Sequence, residues 1–151
     1  MSASPTVINF YSTKEEYGCF SNFAAFPIKL LGKTWPTSEH YFQAQKFPGT
    51  EREEEIRTTE SPMIAARMGR SRDFTLRPDW ESVKDAIMRE AVLAKFTQHD
   101  DIRAVLLSTG DARLVEHTKN DDYWGDGGDG SGKNMLGQIL MSVREELRRQ
   151  N

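Results

Sequence analysis

The sequence predicts a mainly α fold: a compact multihelical domain with a few short β-strands. Three observations predict it. Six stretches carry helical caps or apolar residues at helical spacing. The strand-like runs are few, short and badly spaced for a doubly wound parallel sheet. A hydrophobic content of 37% in 151 residues is enough for one core, and neither a linker nor a repeat divides the chain. Residues 1–151 are therefore expected to form a single domain.

The elements follow in order. TVINFY, Thr6 to Tyr11, is rich in β-branched and aromatic residues and reads as a short strand. FPIKLLGKTWP, from Phe26, reads as a hairpin turning at Leu31-Gly32. Thr37 or Ser38 caps a helix expected over Ser38 to Phe47, which Pro48-Gly49 ends. EREEEIRTTE reads as a polar, exposed helix. In SPMIAARMG, Ser61 caps, Pro62 suits the first turn and Gly69 closes the helix. The longest helix is expected from about Trp80 to Phe96, with Asp79 as cap and a stripe of Trp80, Val83, Ile87, Ala91 and Ala94. DIRAVLLSTG gives another helix closed by Gly110, and ARLVEH a short extended segment. After a glycine-rich loop, an amphipathic helix is expected from about Asn134 to Arg149.

Composition excludes several classes. The net charge is −3, with no global basic excess, which disfavours a protein that coats duplex nucleic acid. A single cysteine, Cys19, allows neither an internal disulfide nor a zinc cluster. No signal peptide or membrane-length apolar run is evident, so a cytoplasmic protein is expected.

The loop GDGGDGSGKN comes close to a phosphate-binding P-loop. Gly127, Gly132 and Lys133 fit its spacing, but Asn134 stands where the metal-binding hydroxyl belongs, and polar KNDDYWGD precedes it instead of a buried strand. The calcium-loop pattern fails too, because the carboxylates miss the alternating positions. An exposed turn is one reading. The other is an anion site, since the loop opens onto a helix N-terminus and carries Asp121, Trp124, Asp126 and Lys133.

A second constellation lies on the helix from Ser38. Glu39, Gln43 and Lys46 stand at i, i+4 and i+7, one narrow stripe. Such a stripe is commonly a solvated face. Here Tyr41, Phe42, Ala44 and Phe47 surround it, which argues for a core helix, on which the stripe needs either mutual pairing or a polar cavity. A carboxylate in such a cavity can do acid–base work. Trp80 reads as core packing at a helix start; Phe20 to Phe23, with Asn22 and Phe23, as an aromatic turn or a base-reading segment. Arg67, Arg70 and Arg72 form a basic helix end able to face phosphate. His40, His99 and His117 have no metal-ligand spacing.

Six blocks in order, INFYS, YGCFSNFAAFPI, GKTWPTSEHYFQAQKF, SPMIAARMGR, RPDWESVKDAIMREAVLAKF and LVEHTKNDDYWGDGGDGSGKNMLGQILMSVRE, resemble the NADAR superfamily, and within it the YbiA-like N-glycosidase branch. The resemblance spans about Val7 to Leu147. It implies a mostly α domain that hydrolyses the bond between a ribose phosphate and a base-like amine, the substrates being ribosylamino-pyrimidine phosphates of riboflavin synthesis. Other members are associated with ADP-ribose, so removal of ADP-ribose from guanine, or non-catalytic nucleotide binding, stands as the alternative. The family's glutamate falls on Glu39, its tryptophan on Trp80 and its aspartate on Asp121.

These readings give a set of expected site residues. Glu39, Asp121, Trp80 and Lys46 form the catalytic set. Lys46 offers a variant route, in which its amine attacks the opened sugar and forms a Schiff base. Phe10, Ser12, Asn22, Phe23, Ser38, Gln43, Arg70, Trp124, Gly125, Asp126, Gly130, Lys133 and Asn134 are expected to bind substrate. No metal or cofactor is expected, and the expected partner is a small ribose-phosphate molecule, with no membrane and no stable nucleic-acid complex.

Overall fold

A computed structural model describes residues 6–150. Their elements are β1 (Val7–Phe10), β2 (Ile28–Leu30), β3 (Lys33–Trp35), α1 (Ser38–Ala44), α2 (Glu51–Arg57), α3 (Pro62–Arg70), α4 (Trp80–Gln98), α5 (Asp100–Ser108), β4 (Arg113–Glu116) and α6 (Met135–Gln150), with one 3₁₀ turn at Gly18–Phe20. The fold is mainly α with two small sheets, as the sequence predicts. No helix among the described residues is long and apolar enough to cross a membrane. The elements group into two compact units, one running from Asn22 to Gln98 and the other made of the segments before and after it.

In the central unit, β2 and β3 form the expected hairpin. Ile28 pairs with Trp35 and Leu30 with Lys33. The two turn residues, Leu31 and Gly32, both have positive φ, 55° and 73°. That is the turn whose twist matches a two-residue hairpin, and it is unusual for leucine at the first position. Leu31 tolerates it with its side chain 64% exposed. The hairpin inserts Ile28 and Trp35 into a core with Tyr41, Ala44, Phe47, Ile56, Ala65 and Ala91. The Trp35 indole donates to Leu30 O at 3.0 Å, which satisfies its buried N–H.

Three helices depart from expectation. α1 stops at Ala44, and tight turns from Lys46 N to Gln43 O and from Phe47 N to Ala44 O carry the chain to Pro48. α2 is not a wholly exposed helix: Ile56 is in the core and Glu53 is buried, its carboxylate accepting from Gln45 Nε2 and Gly49 N. α3 does not end at Gly69 but runs through it to Arg70, with Gly69 buried against α1. The caps at Thr37, Thr50 and Ser61 each accept from the backbone N–H three residues on.

The other unit pairs β1 with β4 in parallel, Val7 beside Arg113 and Phe10 beside Glu116. β4 lies against α6, and α6 against α5. Leu136, Ile139, Leu140, Val143 and Leu147 are the buried face of α6, the stripe read from the sequence. α6 starts at Met135, because Asn134 takes a left-handed conformation with φ 52°.

Candidate active site

The central unit brings Glu39, Gln43, Lys46 and Trp80 together. Thr37 caps α1, which puts Glu39 in its first turn, where the helix dipole favours an anion. One turn on, Gln43 Nε2 donates to Glu39 Oε2 at 2.7 Å. Lys46 follows on the same side, and its Nζ donates to Gly69 O at 3.2 Å. All three are at most 9% exposed, so the stripe is interior and not a solvated face. Phe42 and Trp80 wall it, ring centroids 5.0 Å apart, with the Lys46 ammonium 6.0 and 5.7 Å from them. Trp80 thus packs in the interior and borders the polar stripe.

Burial governs the electrostatics of this cluster. Burial drives the Lys46 pKa down to about 8, and Arg72 and Arg70 push in the same direction, while Glu39 and Glu81 resist. An amine so perturbed, inside a buried polar cluster, makes Lys46 a candidate for chemistry. Gln43 Oε1 is buried and accepts no hydrogen bond from the protein, which costs of order 1–3 kcal/mol.

Around this cluster, Ser38 is fully buried and donates to Asn22 Oδ1 at 2.8 Å, while Asn22 Nδ2 reaches Met88 Sδ. Both amide ends of Asn22 are therefore engaged inside the protein. Glu39 N donates to Asn22 O, so the FSNF segment is tied to the start of α1. Phe23 is 39% exposed and Arg70 is exposed. His40 is wholly buried, its ring nitrogens 2.8 Å from Thr37 Oγ1 and 3.0 Å from Thr59 O; burial lowers its pKa against the pull of the Thr59 carbonyl.

The glycine loop belongs to the other unit. Asp121 Oδ1 accepts from the backbone N–H groups of Tyr123 and Trp124, at 2.9 and 2.8 Å, and fixes the turn that presents Trp124. Its other oxygen takes no part in that turn. A polar cleft of about 510 Å³ is lined by Lys119, Asn120, Asp121, Asp122, Gly127, Asp129 and Ser131. Lys133 is exposed, its ammonium 5.4 Å from the Tyr123 ring centre. Gly130, with φ 88°, is exposed as well.

Other residues expected to bind substrate have internal work. Asp126 Oδ1 accepts from Thr118 N and Gly128 N, and its Oδ2 sits 2.8 Å from His117 Nδ1. Burial pushes the Asp126 pKa up, but these bonds outweigh it and hold it below the usual value. Asn134 Oδ1 accepts from Glu116 N and its Nδ2 donates to Leu114 O, both at 2.9 Å, which locks α6 to β4. Gly125 is buried where any side chain would meet Thr118 and Glu116. Phe10 is 1% exposed, edge-on to Phe20, and Ser12 caps a local turn with Glu15 and Lys14. Among the described residues no group of three or more His, Cys, Asp or Glu side chains is placed to hold a metal.

The chain matches the NADAR domain family over residues 9–148. It is 66% identical over 142 residues to N-glycosidase YbiA of Escherichia coli (strain K12), covering 94% of this chain and 89% of that one. A longer riboflavin biosynthesis protein of Vibrio vulnificus is 44% identical over 140 residues, which cover 93% of this chain and 38% of that protein. The NMR structure of the E. coli protein YbiA superposes with a TM-score of 0.91 at 62% identity, over 99% of this chain and 89% of that one.

Proposed function

This chain belongs to the NADAR family, and from that premise we propose that it is an N-glycosidase, a hydrolase of the bond between a ribose phosphate and an amino-pyrimidine of the riboflavin route. The observation that carries this reading is the buried Glu39–Gln43–Lys46 stripe walled by Phe42 and Trp80. A polar line of this kind inside an aromatic wall suits a charged sugar carbon next to a flat base.

In the proposed step, the C–N bond at ribose C1 breaks and the electron pair leaves with the base nitrogen, which takes a proton. Positive charge develops at C1, and water adds there with loss of a proton. Glu39 stabilises that charge or takes the proton from water. Trp80 walls the base. In the other unit, taken by itself, Asp121 is suited to sugar hydroxyls, and Lys133, with the loop amides, to a phosphate. Arg70 is an alternative phosphate partner. Asn134 has no place in the proposal, because its amide is committed to β4.

A second route is favoured by the low pKa of Lys46. Its neutral amine adds to C1 of the ring-opened imine form of the substrate, the base amine leaves with a proton to give a Lys46 Schiff base, and one water hydrolyses that Schiff base to release the sugar and the lysine. Borohydride added during turnover traps this adduct on Lys46 and nothing on the direct route.

The deciding experiment incubates the purified protein with ribosylamino-pyrimidine phosphates, ADP-ribose, NAD and ADP-ribosylated guanosine. Mass spectrometry should show base loss from the first group. Cleavage confined to ADP-ribosylated guanosine would replace this reading with the ADP-ribosyl hydrolase. A chain that binds nucleotide but cleaves none of the panel would be a binding module.

A further inference from the structure

We propose that Gly69 is a positioning residue for the reaction: its bare Cα and its carbonyl hold Gln43 on Glu39 and Lys46 beside it. The inference rests on the reading of Glu39 as the acting carboxylate, and it adds a residue on a different helix to that reading.

Two observations meet at Gly69. A Cβ built there would overlap Gln43 Oε1 and lie 2.7 Å from Gln43 Cδ, so no side chain fits while the carboxamide keeps its place. The Gly69 carbonyl also accepts from Lys46 Nζ. One residue of α3 therefore sets both neighbours of Glu39 on its stripe. Glycine is costly inside a helix, and Gly69 is inside one.

The orphaned oxygen of Gln43 explains the requirement. With Nε2 donating to Glu39, Oε1 must point away from it, and it points at Gly69, where it finds no donor. Turned over, the amide would set Oε1 against the Glu39 oxygen, acceptor against acceptor. The arrangement favours the donor on Glu39 over satisfaction of Oε1. Gln43 is thereby a holder of the Glu39 carboxylate and not a reader of substrate. An alanine at 69 would drive the carboxamide off Glu39 and take that donor from the carboxylate. Losing a donor disfavours the charged form.

The test compares wild type, Gly69→Ala, Gln43→Ala and the double variant. Gln43→Ala removes the overlapping Oε1 and Cδ, while the residue 43 Cβ stays 2.9 Å away and keeps part of the crowding. In wild type, the Gln43 side-chain amide protons should follow the ionisation of Glu39 in an NMR pH titration. In Gly69→Ala that response should vanish, kcat should fall about 10–100-fold with less change in KM, and the acid limb of the pH profile should move up. The loss that Gly69→Ala causes should be clearly smaller in the Gln43→Ala background than in wild type. A titration response kept in Gly69→Ala overturns the inference, and so does an undiminished loss in the Gln43→Ala background. If Gly69→Ala does not fold, pairing it with Gln43→Gly, which removes the Cβ contact as well, decides: recovery of the fold supports the inference, and an unfolded pair beside a folded Gln43→Gly overturns it. If the wild type cleaves no N-glycoside, the functional reading fails, while the titration and the folding comparison still decide the role of Gly69.

Discussion

Gln43 Nε2 lies 2.7 Å from Glu39 Oε2, one helical turn apart on the buried side of α1. A buried carboxylate with an amide donor is held in one orientation, and the helix start beneath it favours its charge. Glu39→Gln keeps the shape and removes the acid–base capacity. It should lower kcat by roughly 10²–10⁴-fold with the circular dichroism spectrum unchanged. Near wild-type turnover in the folded variant would exclude Glu39 from the chemistry.

Lys46 makes stability depend on pH in an assignable direction. Its pKa is about 8 in the folded protein, against an ordinary value of 10.5, so between these limits the unfolded chain binds more protons. Stability contributed through this group therefore rises as pH climbs from about 8 to 10.5, by up to ~3 kcal/mol, and is flat below about 8. Urea denaturation of wild type and Lys46→Met across that range should show wild type gaining on the variant. Parallel curves would mean that burial does not perturb Lys46.

Asn134 should matter for the fold and not for chemistry. It is 2% exposed, it ties α6 to two backbone groups of β4, and it holds a φ of 52°. Asn134→Ala orphans both groups and disfavours that backbone, and should cost about 2–4 kcal/mol. Asn134→Gly removes only the backbone strain and should recover part of the loss. Thermal melts of the pair separate the two contributions, and an Asn134→Ala melting point equal to wild type would refute the assignment.

How far the sequence reveals this molecule depends on how local each feature is. The Leu31-Gly32 turn, the caps at Thr37 and Ser61 and the stripe of α6 are set by neighbours a few residues apart, and they stand where the sequence places them. The Glu39–Gln43 pair is also local, and only the aromatics around it signal that it is buried. Gly69 is different. After MIAARM a glycine reads as a stop, and what keeps the helix going is its packing on Gln43, a residue of another helix. Asn134 is misleading for the same reason: in a glycine-rich loop its amide looks available, and two backbone groups of β4, 18 and 20 residues earlier in the chain, claim it. Glu53 looks solvated among five charged residues until Gln45 reaches it.

Lys133 carries the phosphate part of the proposal, and it can be tested apart from the chemistry of Glu39. It is exposed, at the mouth of α6, and its ammonium rests by the Tyr123 ring, where a displaced or shared cation is still accessible to an anion. A helix start alone attracts anions weakly, by about 0.3–1 kcal/mol when exposed, so a lysine has to supply most of the selectivity. Lys133→Ala should therefore raise KM for a ribosyl phosphate about 10-fold or more and leave its dephosphorylated analogue nearly unchanged, with kcat similar for both. Steady-state kinetics on the two substrates measures the difference. Equal effects on both would remove the phosphate assignment from Lys133, and Arg70→Ala, measured on the same pair of substrates, would then show whether the exposed end of α3 takes that role.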